Sequence, residues 1–261
     1  MTPEPRDTVW ISGQFVDTGQ ITLPVASLTL TQGLGAYETL RLVGGRAPWL
    51  DLHTQRLARA CRAMQLPGAD HDWDCILAEL SRRCRRPDAR VRITVGDGFC
   101  MATCGPLPEG LALERAQGVQ LRSHHMTRPD AEVKAVSRWP LWRAEQEAGG
   151  EVLLLDAGGG WLESSRANLF VWRGDDLYTP PTPDVLPGIC RAITLQVAAT
   201  LGLRTHVGPL PRAVQADCAS AFLTNAVRGI RPVVALNERR FPIERRTREL
   251  QSALDARMGL S

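Results

Sequence analysis

Lysine is almost missing from this chain. Among its 31 basic side chains other than histidine, 30 are arginine and one, Lys134, is lysine. Arginine supplies permanent charge but does not lose its proton in proteins, whereas a desolvated lysine can deprotonate and attack a carbonyl group. The composition leaves two explanations for Lys134: a required amine, or a drift toward arginine that spared one lysine. The residues around position 134 have to decide between them.

Long apolar runs and metal-binding cysteine patterns are missing as well. The longest apolar runs, such as Val152–Leu155, are far too short to cross a bilayer, and residues 1–8 carry no apolar stretch after a basic cap. The seven cysteines form no C-x-x-C pair and have no histidine at zinc-finger spacing, so we expect reduced, buried thiols and no metal site. We therefore expect a cytoplasmic protein that contacts no membrane.

The positive charge is small and unevenly placed. The formal net charge is +3, and Arg82, Arg83, Arg85 and Arg86 cluster around Cys84. Because no aromatic residue interleaves these arginines, we interpret them as a solvated helix end and predict no nucleic-acid partner. The length of 261 residues, with 44% apolar and 23% charged residues, suits one large domain or two modest ones.

The pattern of strands and helices divides the chain in two. Strand-like segments and two amphipathic helices predict a small α/β domain over residues 1–108. The stretch 105–110, dense in proline and glycine, indicates a linker, which we place at residues 109–118. A larger domain over 119–261 opens with new strands, continues as a run of hairpins and contains a helix from about 188 to 202.

Candidate partners for the single lysine stand in order along the chain. Arg56 and the predicted helix start at Ile189 and Cys190, where backbone N–H groups are free, can hold an anion. Glu163 is a candidate acid and Leu186 a candidate ring contact. Together these residues supply the three kinds of neighbour that pyridoxal phosphate on a lysine needs. They are a phosphate-binding site, an acid for the pyridine nitrogen and an apolar side chain that packs on the ring. A proline before a helix also suits a helix start for structural reasons alone.

Several longer motifs also occur in a particular order. They are Glu-Val-Lys at 132–134, Glu-Val-Leu-Leu-Leu-Asp at 151–156, Leu-Glu-Ser-Ser-Arg-Ala-Asn-Leu-Phe at 162–170, Tyr-Thr-Pro-Pro at 178–181 and Leu-Pro-Gly-Ile-Cys-Arg at 186–191. Further segments at 33–41, 53–57 and 224–233 extend the likeness over nearly the whole chain. In these motifs the sequence resembles the class IV pyridoxal-phosphate enzymes. That family includes branched-chain aminotransferases, D-amino acid aminotransferases and 4-amino-4-deoxychorismate lyases.

The resemblance implies a fold and a set of residue roles. The fold is the two-domain class IV arrangement of the α+β or α/β class, with a small N-terminal α/β domain, a larger C-terminal domain with a barrel-like sheet, and a homodimer. Lys134 forms a Schiff base with pyridoxal 5'-phosphate and shuttles the proton at the substrate α-carbon, while Glu163 pairs with the pyridine nitrogen. The cofactor contacts implied by the family are Lys134, Arg56, Glu163, Leu186, Ile189, Cys190, Asn225 and Ala226.

Some positions depart from the aminotransferase pattern and favour a lyase. Cys190 and Ala226 stand where family members often have threonines whose hydroxyls bind the phosphate, and a thiol is a poorer donor. Asn225 followed by Ala226 resembles the lyases instead. Trp139 stands where branched-chain aminotransferases have tyrosine. The run 134–138 keeps the arginine of the lyase pattern Lys-x-x-Asn-Arg but has serine in place of its asparagine.

The arginines suit a substrate with two carboxylates. Aminodeoxychorismate has a ring carboxylate and an enolpyruvyl carboxylate, both suited to forked cationic partners, and the candidates are Arg41, Arg138 and Arg228. Arg228 fits a solvated loop charge equally well. We rank three hypotheses: a lyase that makes 4-aminobenzoate and pyruvate from this small molecule for folate synthesis, a class IV aminotransferase for branched-chain or D-amino acids, and a non-catalytic basic binding protein.

Overall fold

The computed structural model describes residues 8–260, and contacts divide the chain into two compact units. The first unit takes in the chain as far as Glu109 together with Val133–Ser137. The second comprises Gly110–Glu132 and Arg138–Ser261. The domain boundaries given above stay a prediction. The chain start, for which the sequence predicts no targeting segment, lies in residues 1–7, outside the described part.

The first unit contains a five-stranded antiparallel sheet. Its elements are β1 (Thr8–Ile11), β2 (Gln14–Asp17), a 3-10 turn (Thr18–Gln20), α1 (Leu28–Gln32), β3 (Gly35–Leu42), α2 (Leu50–Ala63), α3 (Trp73–Cys84), β4 (Ala89–Gly96) and β5 (Phe99–Gly105). The sheet order is β2-β1-β5-β4-β3, with every pair antiparallel. Helix α2 packs on β3, and α3 packs on β1 and β5.

Local sequence explains both long helices of this unit. The buried residues of α2 recur at spacings of three and four, as expected for a helix with one buried face: Leu50, His53, Arg56, Leu57, Ala60 and Cys61. Helix α3 begins after Asp72, whose carboxylate accepts the N–H of Cys75. Near its end, Arg82 and Arg83 donate to Glu79. These arginines therefore form surface ion pairs at a helix end.

The second unit is built on a closed six-stranded sheet. Its elements are α4 (Leu111–Gln117), β6 (Val119–His125), α5 (Trp139–Ala148), β7 (Val152–Leu155), β8 (Trp161–Ser164), β9 (Asn168–Arg173), β10 (Asp176–Thr179), α6 (Ile189–Thr200), β11 (Thr205–Val207), α7 (Arg212–Ala216), β12 (Ser220–Asn225), β13 (Gly229–Leu236), β14 (Arg239–Arg240) and α8 (Arg245–Met258). The ring runs β9-β12-β13-β6-β7-β8 and closes because β8 also pairs with β9. The predicted barrel-like sheet is confirmed.

The barrel strands have different partners on their two faces. One apolar cluster draws side chains from all six strands, among them Leu169, Val171 and Leu223, and therefore fills the interior. The alternate residues Phe170 and Phe222 stack on the opposite face, with ring centroids 5.0 Å apart. Helix α6 packs against β12. This outer face positions the start of α6.

Two composition-based expectations can be compared with the structure. All seven cysteines are free thiols, six of them buried, whereas Cys75 is exposed on the outer side of α3. Among residues 8–260, no helix is both long and apolar enough to cross a bilayer.

Candidate active site

Lys134 lies in a short segment that pairs with β3. The Tyr37 N–H donates to the Lys134 carbonyl (3.0 Å), and the Val136 N–H donates to the Gly35 carbonyl (2.8 Å). Glycine suits position 35, because a Cβ atom there would lie 3.0 Å from the Val136 side chain and 3.1 Å from the Val95 carbonyl oxygen. Regular backbone hydrogen bonds therefore hold the lysine in place.

The Lys134 amine lies over an aromatic ring. Its Nζ atom is 4.9 Å from the ring centroid of Tyr37, and the guanidinium carbon of Arg92 is 3.7 Å from the same centroid, both within cation–π range. Arg92 stands opposite Thr39 in the β3–β4 register. Arg41 shares this face, because residues two and four apart along a strand point the same way. A lysine and two arginines on one face suit an anionic substrate.

A buried ion cluster joins β3 to α2. Glu38 accepts hydrogen bonds from Arg56 Nε (2.7 Å) and Arg56 Nη2 (2.7 Å). His53 Nδ1 lies 2.8 Å from the same carboxylate. None of the three residues is more than 5% exposed. Paired hydrogen bonds to a carboxylate fix the plane of a guanidinium group, so Glu38 sets the position of Arg56.

The protonation states of this cluster follow from burial and charge. Burial opposes the ionisation of Glu38, but the charge of Arg56 and hydrogen bonds from Arg56 and His53 outweigh it and lower the pKa to about 2. Burial lowers the pKa of His53, against the opposing effect of Glu38, and the charges of Arg56 and Lys134 lower it further. At neutral pH the cluster is an ion pair beside a neutral imidazole.

In the second unit, Glu163 of β8 is held as a carboxylate. It accepts hydrogen bonds from Arg128 Nη1 (2.6 Å), Asn168 Nδ2 (3.1 Å) and the Leu186 N–H (3.2 Å). The residue is 3% exposed. Hydrogen bonds and a cationic neighbour favour the charged form of a buried carboxyl group. An ionised, fixed carboxylate of this kind can hold a proton on a ring nitrogen.

The start of α6 lies beside this carboxylate. The helix begins at Ile189 after Gly188, without a side-chain cap and without an acidic residue in its first turn. A Cβ atom at Gly188 would overlap the Asn168 side chain, which also donates to the Leu186 carbonyl (2.8 Å). Uncapped N–H groups at a helix start attract anions. Burial raises the pKa of the Cys190 thiol to about 12, so this side chain is neutral.

Asn225 shapes the turn that follows β12. Its Oδ1 atom accepts the N–H groups of Val227 (3.1 Å) and Arg228 (2.7 Å), and its Nδ2 atom donates to the Arg166 carbonyl (3.3 Å). Ala226 lies inside this turn and has no side-chain donor. The asparagine therefore closes the turn through its own side chain.

Two predicted substrate arginines have acidic partners in the second unit. Arg138 Nη2 donates to the Ser165 carbonyl (2.8 Å) and approaches Glu145 (3.5 Å). Arg228 Nε donates to Glu114 (2.9 Å). An arginine already paired with a carboxylate must exchange that partner to bind a substrate carboxylate. Their roles, like those of the other site residues, stay predictions.

Each unit brings together part of the predicted site. In the first, Lys134 and Arg56 both act electrostatically on one buried histidine; in the second, Glu163, Leu186 and the start of α6 are joined through Asn168. Sequence reasoning missed the residues that hold these groups in place: Tyr37, Glu38, His53, Arg92, Arg128 and Asn168. For His53 a signal existed, because the buried face of α2 carries this histidine one turn before the predicted Arg56.

A family comparison bears on these arrangements. The family model described as Amino-transferase class IV matches residues 35–236. The chain belongs to this family. The match spans Lys134, Glu163 and the start of α6, and it confirms the resemblance drawn from the sequence, the fold class and the predicted cofactor, pyridoxal 5'-phosphate. Because class IV proteins are enzymes, membership favours the two enzyme hypotheses over a non-catalytic binding protein.

Similar proteins carry both activities considered above. The chain is 25% identical to the aminodeoxychorismate lyase of Bacillus subtilis over 257 residues, covering 88% of this chain and 87% of the relative. It is also 25% identical to the branched-chain-amino-acid aminotransferase of Pseudomonas aeruginosa over 287 residues, covering 97% and 94%. The solved 4-amino-4-deoxychorismate lyase from Pseudomonas aeruginosa superposes with a TM-score of 0.81 at 26% identity, covering 95% of this chain and 98% of that one. Sequence identity to these relatives favours neither the lyase nor the aminotransferase activity.

Proposed function

We propose that this class IV enzyme is a lyase that converts 4-amino-4-deoxychorismate to 4-aminobenzoate and pyruvate, a step toward folate. The observation that carries the proposal is the turn after β12, where Asn225 and Ala226 match the lyase pattern and the asparagine side chain closes the turn. The similar lyases of Bacillus subtilis and Pseudomonas aeruginosa support it. We also propose a cytoplasmic homodimer.

The residues present fit pyridoxal 5'-phosphate. Ile189 and Cys190 lie at an uncapped helix start with no acidic residue in its first turn, which suits a phosphate dianion. The family resemblance adds Arg56, whose guanidinium group is held by Glu38, as a further phosphate contact. Glu163 offers a buried carboxylate to the pyridine nitrogen. Leu186 lies beside that carboxylate and would contact the ring. When bound, the cofactor supplies an electron sink that makes the substrate α-hydrogen acidic.

In the proposed reaction, Lys134 acts twice. Its amine would hold the cofactor and would also take the proton from the carbon that bears the substrate nitrogen. Glu163 would keep the ring nitrogen of the cofactor protonated. The enolpyruvyl C–O bond would break with its electron pair leaving on oxygen, and the proton taken by Lys134 would pass to the departing enolate to give pyruvate as the ring becomes aromatic. Backbone pairing to β3 fixes the segment that carries Lys134, which supports this role.

Arginines would bind the two substrate carboxylates. Arg41 and Arg92 share a sheet face with Tyr37, whose ring also lies under the Lys134 amine, and this arrangement suits an anionic substrate. We therefore assign Arg41 and Arg92 a part in substrate binding, beside the predicted Arg138 and Arg228. Substitution of either arginine by lysine keeps the positive charge but removes the paired N–H donors of the guanidinium group. This change should raise KM for the substrate more than it lowers kcat.

The aminotransferase hypothesis has one specific observation in its favour. Identity to a branched-chain-amino-acid aminotransferase equals identity to the lyase, at 25%. Both reactions use a lysine base and a carboxylate at the ring nitrogen, so the same two residues serve either. Only the products distinguish them.

The test measures products of the cofactor-loaded protein given enzymatically generated aminodeoxychorismate. We expect 4-aminobenzoate and pyruvate in equal amounts, and neither from Lys134→Arg, which keeps the charge but removes the nucleophile. Because Lys134 is the only lysine, borohydride reduction should attach the cofactor at this side chain, as read by peptide mass. A protein that is labelled at Lys134 but releases no 4-aminobenzoate refutes the lyase and calls for a screen of L- and D-amino donors.

A further inference from the structure

The hydroxyl group of Thr224 lacks a hydrogen-bond partner among the residues that the structure describes, although Thr224 is 1% exposed. Other buried threonines are satisfied: Thr194 donates to the Cys190 carbonyl (2.7 Å), and Thr247 accepts from Trp172 Nε1 (3.0 Å). A buried polar group without a partner is unfavourable, so it is found where something else binds it.

The position of Thr224 indicates what that partner is. In the register of β12 and β9, Thr224 stands directly opposite Asn168. Directly opposed side chains of an antiparallel pair share a face and lie about 5 Å apart. The Asn168 side chain lies against Gly188, the residue before α6. The Thr224 hydroxyl therefore lies on the face that leads to the first turn of α6.

This helix start offers backbone N–H groups but few side-chain donors. Helix α6 has no side-chain cap and no acidic residue in its first turn. The two positions where family members often have threonine hydroxyls are Cys190 and Ala226 in this chain. Burial keeps the Cys190 thiol neutral, since its pKa is about 12, and a thiol is a weak donor. The Thr194 hydroxyl is already used within the helix.

We infer that the Thr224 hydroxyl donates a hydrogen bond to the cofactor phosphate at the start of α6 and replaces the hydroxyls missing at positions 190 and 226. The inference rests on the proposed function, because it takes the phosphate to bind at this helix start. Thr224 is thus a binding residue whose effect depends on the phosphate group and not on the pyridine ring.

The test compares the affinity of the apoprotein for pyridoxal 5'-phosphate and for pyridoxal, which lacks the phosphate. In Thr224→Val, which keeps the shape, the dissociation constant for pyridoxal 5'-phosphate should rise by about 10- to 100-fold, as expected for a lost hydrogen bond to a charged group. The dissociation constant for pyridoxal should not change. Thr224→Ser should restore the parent values, and the matched control Thr247→Val should leave the ratio of the two affinities unchanged.

Thermal unfolding of the apoproteins separates a binding role from a structural one. Removing an unpaired hydroxyl should leave apo Thr224→Val at least as stable as the parent, whereas Thr247→Val, which loses a satisfied bond, should unfold at a lower temperature. The inference is overturned if Thr224→Val binds pyridoxal 5'-phosphate like the parent, or if it destabilises the apoprotein as Thr247→Val does. A parent that binds the phosphate form no better than pyridoxal would instead refute the proposed phosphate site itself.

Discussion

Replacement of Glu38 by glutamine should destabilise the first unit in a pH-dependent way. Glu38 is fully buried and accepts two hydrogen bonds from Arg56, which is itself 5% exposed. Glutamine keeps the shape of the side chain but removes its charge. The buried Arg56 then loses the charge of its carboxylate partner, which is the costly way to break a buried pair.

The magnitude follows from the pKa of Glu38. A lowering from 4.5 to about 2 corresponds, at about 1.4 kcal/mol per pKa unit, to about 3 kcal/mol of stability at pH 7. This agrees with the roughly 3–5 kcal/mol measured when one partner of a buried pair is removed. Because the folded-state pKa lies below the unfolded one, the contribution is complete above pH 4.5 and decreases as the pH falls; about 2 kcal/mol of it is lost by pH 3.

The assay is urea unfolding of the apoprotein at pH 7 and pH 3, followed by both circular dichroism and tryptophan fluorescence to check that unfolding is cooperative. We expect the difference between parent and Glu38→Gln to shrink to less than half of its pH 7 value at pH 3. Glu79→Gln is the matched control, because the pKa of Glu79 is likewise lowered to about 2 by arginine partners, here Arg82 and Arg83, but Glu79 lies on the surface of α3, where solvent screens the pairs. Equal, pH-independent losses in both variants would refute the reasoning.

Three further changes test other parts of the site. His53→Gln should flatten the stability profile below about pH 6.5, because the lowered pKa of His53 makes the unfolded chain take up the proton first on acidification; an unchanged urea profile contradicts this. Glu163→Gln should lower kcat by about 100-fold or more, and steady-state kinetics with a loss under about tenfold would contradict its role at the ring nitrogen. Gly188→Ala should push the Asn168 side chain aside and cost about 1–3 kcal/mol in urea unfolding, whereas Gly150→Ala, where a methyl group meets open space, should cost much less.

Local sequence patterns predicted where these helices lie and, to within a few residues, where they begin and end. The helix predicted over 188–202 is α6, Ile189–Thr200, and its start follows from the proline and glycine that precede it. One of the two amphipathic helices predicted in the N-terminal domain is α2, Leu50–Ala63. Spacing of apolar residues and helix-start signals act within a few residues, so they are visible in the sequence.

The sequence did not show which residues from distant segments pair with each other. Residues 111–117, within the predicted linker 109–118, form α4, whose Glu114 accepts a hydrogen bond from Arg228, 114 positions away in the chain. Arg138 and Arg228 were both substrate candidates in the sequence, with a solvated loop charge as the alternative for Arg228. Their carboxylate partners are determined by how the strands and helices of the second unit pack, and no local pattern encodes that packing.

The sequence by itself determined the available chemistry: one amine at Lys134, an acid at Glu163 and an uncapped helix start, in the order of a class IV enzyme. These depend on residue type and short spacing. Only the tertiary structure decided that Glu38, 18 positions from Arg56, holds that arginine, and that the Thr224 hydroxyl, on the face leading to α6, has no hydrogen-bond partner within residues 8–260. Burial and pairing are properties of segments brought together by folding, and they set the charge and orientation with which the residues act.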